Sequence, residues 1–154
     1  VAAVVYRDAD KTSGNYHTVA KFTQTKPTGM GHGEGMGLII GGSDLQGEKQ
    51  QYTYFLVRED GSFLVKRRTG ATTAAVTEGT QGWVTNDAVN KTDAAGKMTN
   101  ELAIGVQAGK VSFTVNGKEV YNTDASTIDV NGIVGMRVNH MLDVHVEGFA
   151  IHKM

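Results

Sequence analysis

Asp143, His145 and Glu147 alternate along a valine-rich stretch near the end of the chain, with His140 just before them. On a β-strand such alternation puts all three on one face. Two carboxylates and an imidazole suit a divalent metal or acid–base work, so Asp143, His145 and Glu147 are candidate metal ligands. The competing reading is a solvated sheet face whose charges pair with Lys or Arg on the next strand. It is favoured, because same-face neighbours on one strand stand too far apart to close a metal shell unaided. The loop at 29–36 sets His32 and Glu34 among glycines, whose backbone freedom suits a ligand loop or a mobile surface segment. For a catalytic pair the sequence offers only Glu34, His140 and His145, and no catalytic residue is assigned. Asp44 with neighbouring loop carbonyls is a candidate calcium site, but it brings one acid.

A different set is Tyr52, Tyr54, Arg58, Lys66, Arg68, Trp83, Arg137, Asn139 and His140. Aromatic faces stack on the C–H groups of sugar rings, and Arg, Asn and His hydrogen-bond to hydroxyls. These are the candidate ligand-binding residues. Each has a bland alternative, since Tyr and Trp serve as core and a strand-end Arg is commonly just solvated.

Several classes of function are excluded or disfavoured. A net charge of −1 gives no basic excess for a nucleic acid. The absence of Cys rules out a disulfide framework, a thiolate nucleophile and Cys-ligated metals. No G-x-S-x-G is present, against an α/β-type serine hydrolase. No apolar run reaches the length of a membrane helix. The chain opens inside an apolar run, 1–6, which reads as a processed or truncated start. The expectation is one domain, 1–154, lacking some native N-terminal sequence, from a secreted or periplasmic protein. Asn90-Lys91-Thr92 matches a glycosylation acceptor, a triplet common by chance.

The elements that must position these residues read as strands. Segments 1–6, 15–24, 35–42, 51–58 and 63–68 have strand-forming composition, and 71–76 reads as a short edge strand. Segment 35–42 looks buried on both faces, and 7–14 reads as a loop. Residues 100–107 and 110–115 alternate apolar and polar, and Asn116-Gly117 between runs predicts a tight hairpin. Segments 132–138 and 142–147 follow, and a phase change at Gly148 predicts a β-bulge. Residues 77–97 form the longest polar stretch, interrupted by Trp83 and Val84. No segment keeps helical apolar spacing. The fold expected is an all-β, two-sheet antiparallel sandwich of about ten or more strands.

The order of several segments carries a resemblance. They are Tyr52-Thr53-Tyr54-Phe55-Leu56-Val57-Arg58, Asp60-Gly61, Phe63 to Arg68, Trp83, Asn100 to Val106, Val115-Asn116-Gly117-Lys118-Glu119-Val120 and Gly132 to Val138. Most of the chain thus resembles the concanavalin A-like jelly-roll domains of exported bacterial proteins, in particular the LamG-like and 3-keto-disaccharide-hydrolase-like (domain of unknown function 1080) group. The resemblance implies a jelly roll whose concave sheet carries a ligand groove. Glycanases of this fold place paired carboxylates in E-x-D-x-x-E, which this sequence lacks; Glu34, Glu59 and Glu147 lie far apart. The first expectation is therefore an exported carbohydrate-binding module without its own catalysis. The alternatives are a glycoside-active hydrolase of the keto-disaccharide type, and an assembly protein that pairs copies through an open edge near 1–6.

Overall fold

The computed structural model describes residues 2–26, 35–139 and 143–154. Among them twelve strands form: β1 (Ala2–Thr12), β2 (Tyr16–Gln24), β3 (Met36–Ser43), β4 (Gln51–Arg58), β5 (Ser62–Thr69), β6 (Thr72–Ala75), β7 (Val84–Thr85), β8 (Met98–Gln107), β9 (Lys110–Val115), β10 (Lys118–Asp124), β11 (Gly132–Asn139) and β12 (Val144–Lys153). One 3-10 turn, Ala125–Thr127, is the helical content of the described residues. Every strand pairing is antiparallel. A seven-stranded sheet runs β1-β11-β3-β4-β5-β6, with β7 also on β5, and a five-stranded sheet runs β10-β9-β8-β2-β12.

The sheets pack face to face because alternate residues of each strand are apolar. Tyr16, Ala20 and Phe22 of β2 face inward with Leu102, Ile104, Phe113 and Val115 from one sheet, meeting Met36, Leu38, Ile40, Phe55, Val57 and Val65 from the other. Phe55 and Phe113 join the two layers edge-on, with ring centroids 5.2 Å apart. The Tyr16 hydroxyl donates to the Val130 carbonyl at 2.7 Å, which satisfies the polar tip of this buried ring.

The expected hairpin forms at Asn116-Gly117, with φ of 54° and 83°, the left-handed pair a tight hairpin demands. The expected bulge forms at Gly148, where the β12–β2 register shifts between Glu147 and Ala150. Strand β1 differs from expectation. It continues through 7–12 instead of turning into a loop, with its register on β11 broken between Tyr6 and Lys11. An edge strand open to solvent on its outer side keeps polar residues, so alternation fades while the ladder persists.

The middle strands of the larger sheet are buried on both faces. Behind the main core, Ile39, Tyr52, Tyr54, Leu56 and Leu64 form a second apolar cluster, flanked by Val4, Leu45 and Trp83. Thus β1, the segment after β3 and the 77–97 segment all fold toward the outer face of this sheet.

Candidate ligand-binding face

Strand parity sets that outer face. Arg137 lies between Val4 and Gly37, and Gly37 stands opposite Leu56. Along the next row Gly135, Ile39, Tyr54 and Lys66 follow one another across the sheet. Tyr52 faces Arg68 one row further. Arg58 and Asn139 continue the same parity toward the opposite end, where the Asn139 N–H donates to the Gly35 carbonyl at 3.1 Å. Trp83 arrives from the 77–97 segment, held in line where β7 pairs β5. The structure therefore gathers Tyr52, Tyr54, Arg58, Lys66, Arg68, Trp83, Arg137 and Asn139 on one face of one sheet. His140 lies outside the described residues.

Two cations on this face sit against aromatic rings. The Arg58 guanidinium lies 4.2 Å from the Trp83 ring centre, and that of Arg137 lies 4.3 Å from the Tyr54 ring centre. Arg58 Nε also donates to Asp60 at 3.0 Å. Burial alone would raise the Asp60 carboxyl, but hydrogen bonds from Arg58 and Ser62 outweigh it and hold that carboxyl below its ordinary range. The Tyr54 phenol is pushed up, chiefly by burial, with the Arg137 charge pulling it partly back. Tyr52 and Tyr54, with ring centroids 5.5 Å apart, are 1% and 3% exposed. Both rings are therefore structural, Tyr54 lying under Arg137, and the half-buried Trp83 is the more exposed aromatic surface of this face.

Gly35 explains how Trp83 reaches the sheet. A Cβ at this position would come within 3.0 Å of both the Leu56 Cδ1 and the Trp83 ring, so glycine admits the indole. Beside it two buried polar atoms, Arg137 Nε and Asn139 Oδ1, have no hydrogen-bond partner among the described residues. A guanidinium nitrogen can only donate and an amide oxygen can only accept. The pair presents complementary hydrogen-bonding capacity two residues apart on one strand.

The other candidates are dispersed. On β12, at the edge of the five-stranded sheet, His145 stands opposite Thr23, and Glu147 stands opposite Lys21, which itself faces Glu101 on its other side. Charges of opposite sign thus stand in register on neighbouring strands, and Asp143, His145 and Glu147 are all exposed. No cluster of three or more His, Asp or Glu able to hold a metal occurs among the described residues. Glu34 lies outside the described residues, as do His32 and His140, so no acid–base pair with His145 can be traced. Asp44, with φ of 50°, borders an open cleft of about 1060 Å³ along with Tyr6, Asp8, Lys11, Glu48 and Asn131. The cleft was not visible in the sequence, because the register break in β1 that exposes it follows from pairing.

No known family profile matches this chain, and no curated protein does. Solved structures do. A carbohydrate-binding module, CBM66 from Bacillus subtilis, superposes with a TM-score of 0.63 at 12% identity, over 92% of this chain and 78% of that one. CG-16, a homodimeric agglutinin from chicken liver, gives 0.60 at 13% identity, over 98% and 99%. A tetrameric galectin from the ball sponge Cinachyrella gives 0.56 at 9% identity, over 99% of each chain. At such identities the likeness is one of fold: the chain is an all-β, two-sheet jelly-roll sandwich of the concanavalin A-like kind.

Proposed function

We propose that this protein binds carbohydrate through the outer face of its seven-stranded sheet, around Arg58, Trp83, Arg137 and Asn139. The observation that carries the reading is that Arg137 Nε and Asn139 Oδ1, two residues apart on β11, have no hydrogen-bond partner among the described residues, on the same face as the half-exposed Trp83 indole. A ligand hydroxyl that reaches them accepts from Arg137 Nε or donates to Asn139 Oδ1, and the part of the Trp83 ring that Arg58 leaves open offers a surface for a sugar's C–H groups. Fixed side chains lower the entropy lost on binding, and both guanidinium groups here are held by rings. Two of the fold neighbours, a carbohydrate-binding module and an agglutinin, support the same reading. Membership in the LamG-like or keto-disaccharide-hydrolase-like group, and export from the cell, are the narrower form of the proposal, supported by the motif order.

A glycan-array screen with Trp83→Ala and Arg137→Ala tests it. Losing one charge-assisted hydrogen bond costs about 1.5–3 kcal/mol, so Arg137→Ala weakens the best hit by roughly 10- to 100-fold. An array with no hits, or hits indifferent to both substitutions, contradicts the proposal.

One further observation favours self-association as a second property. β1 forms one edge of the seven-stranded sheet and exposes Val5 at 52%. A free ladder edge recruits another strand, and a second copy of β1 satisfies it. Light scattering behind a sizing column, on wild type and Val5→Lys, reads the outcome: a dimer that the substitution dissociates supports it, and a monomer refutes it.

A further inference from the structure

On the outer face of the five-stranded sheet, β2 and β12 place His17 directly opposite His152. Their rings stack with centroids 6.1 Å apart and planes 29° from parallel. The two residues are 135 positions apart in the chain, so this meeting is made wholly by the fold. With metal–nitrogen bonds of about 2.0–2.1 Å, a coordinated imidazole centre stands about 3.2 Å from its ion. Two such arms span the observed separation, and rotation about the ring torsions turns a lone pair of each toward the midpoint. No large displacement of the strands is needed.

The surroundings leave the His17 ring room to turn. The residue opposite His17 on β8 is Gly105. A Cβ there would lie 3.9 Å from His17 Cδ2 and 3.2 Å from Ser112 Oγ, so the floor beside the imidazole is bare backbone. An open cleft of about 710 Å³ borders His17 on its β8 side, over Gly105 and Ser112 to Glu119 and Asn122, while on the β12 side His152 is exposed to water.

We propose that His17 and His152 form a divalent transition-metal site, with two imidazole ligands from paired strands and water completing the shell. Imidazole pairs favour late first-row ions, so Cu²⁺ binds more tightly than Zn²⁺. β12 is an edge strand whose one strand partner among the described residues is β2, and an ion bridging the two fastens that edge, stabilising the folded state by mass action. Nothing in this depends on carbohydrate binding.

Calorimetric titration of the untagged protein with CuCl₂ and with ZnCl₂ tests the site. One equivalent binds, Cu²⁺ the tighter, and paramagnetic resonance of the copper form shows coupling to two nitrogens. Replacing even an outer-shell partner weakens a metal by about 10- to 100-fold, so His17→Gln and His152→Gln each lower affinity at least tenfold. Circular dichroism of both variants, in which Gln keeps a polar side chain at an exposed strand position, separates loss of a ligand from loss of the strand pair. No binding to wild type, or undiminished binding in folded His17→Gln, overturns the proposal.

Discussion

Asn100 offers the sharpest test of how the 77–97 segment is held. It is fully buried on β8, and its side chain closes three hydrogen bonds. Its Oδ1 accepts from the Asn90 N–H at 2.8 Å and from Asn116 Nδ2 at 2.9 Å, and its Nδ2 donates to the Asn90 carbonyl at 3.2 Å. Asn116 adds two bonds, from the Glu101 N–H at 2.9 Å and to the Ala88 carbonyl at 2.8 Å. Asn100→Ala strands three partners. A stranded buried group costs about 1–3 kcal/mol, but Asn90 and Asn116 are exposed and water reaches part of what is lost. About 1 kcal/mol for each gives a loss of ~3 kcal/mol, a large fraction of a typical total of roughly 5–15 kcal/mol.

Asn116→Gly isolates the network from the turn, because glycine adopts the φ of 54° without strain. It loses three side-chain bonds at an exposed position, for about 2 kcal/mol. The Asn100–Asn116 bond is broken by either substitution, so the double variant falls short of the sum by about 1 kcal/mol. Urea unfolding followed by Trp83 fluorescence reads all three, since Trp83 is the only tryptophan. A cost below about 1 kcal/mol for Asn100→Ala, or strict additivity in the double variant, refutes the reasoning.

Other outcomes follow from the same geometry. Burial pushes the Tyr16 phenol up to about 12, so folding favours its neutral form. That contribution, ~2–3 kcal/mol, is complete below the unfolded value near 10 and is lost as pH rises through about 12; Tyr16→Phe flattens the urea midpoint over that window, and parallel curves contradict the assignment. Gly35→Ala makes the Leu56 and Trp83 side chains give way by a few tenths of an ångström, costing about 1 kcal/mol with a changed indole emission; unchanged emission and stability contradict the packing described. Phe113→Ala empties the junction between the sheets and costs about 3–5 kcal/mol by urea titration, whereas a loss under about 1 kcal/mol places Phe113 outside the core.

Much of the sandwich was legible because local rules and tertiary demands agree. Gln51–Arg58 carries aromatic or aliphatic residues on both faces, and it is a central strand buried on both sides. Asn116-Gly117 and Gly148 announce themselves because few residues tolerate the φ they need. Arg7–Thr12 was misread as a loop, since an exposed edge strand carries no apolar alternation. The candidate residues were legible as types, and strand parity with the 77–97 segment brings eight of the nine to one face. Their exposure was not legible: Tyr52 and Tyr54 have the composition of a ligand platform, yet Val4, Leu45 and Trp83 crowd over them from three separate parts of the chain. The pairing of His17 with His152 was equally hidden, because only the β2–β12 register brings the two strands side by side.

The most direct test of the central claim is a titration of isotope-labelled protein with the strongest glycan ligand, followed by amide and side-chain chemical shifts. The account predicts shifts at Arg58, Trp83, Arg137 and Asn139, with the Arg137 Nε–H among the largest. Shifts confined to the five-stranded sheet, or to the cleft beside Asp44, would show that sugar is bound elsewhere and contradict it.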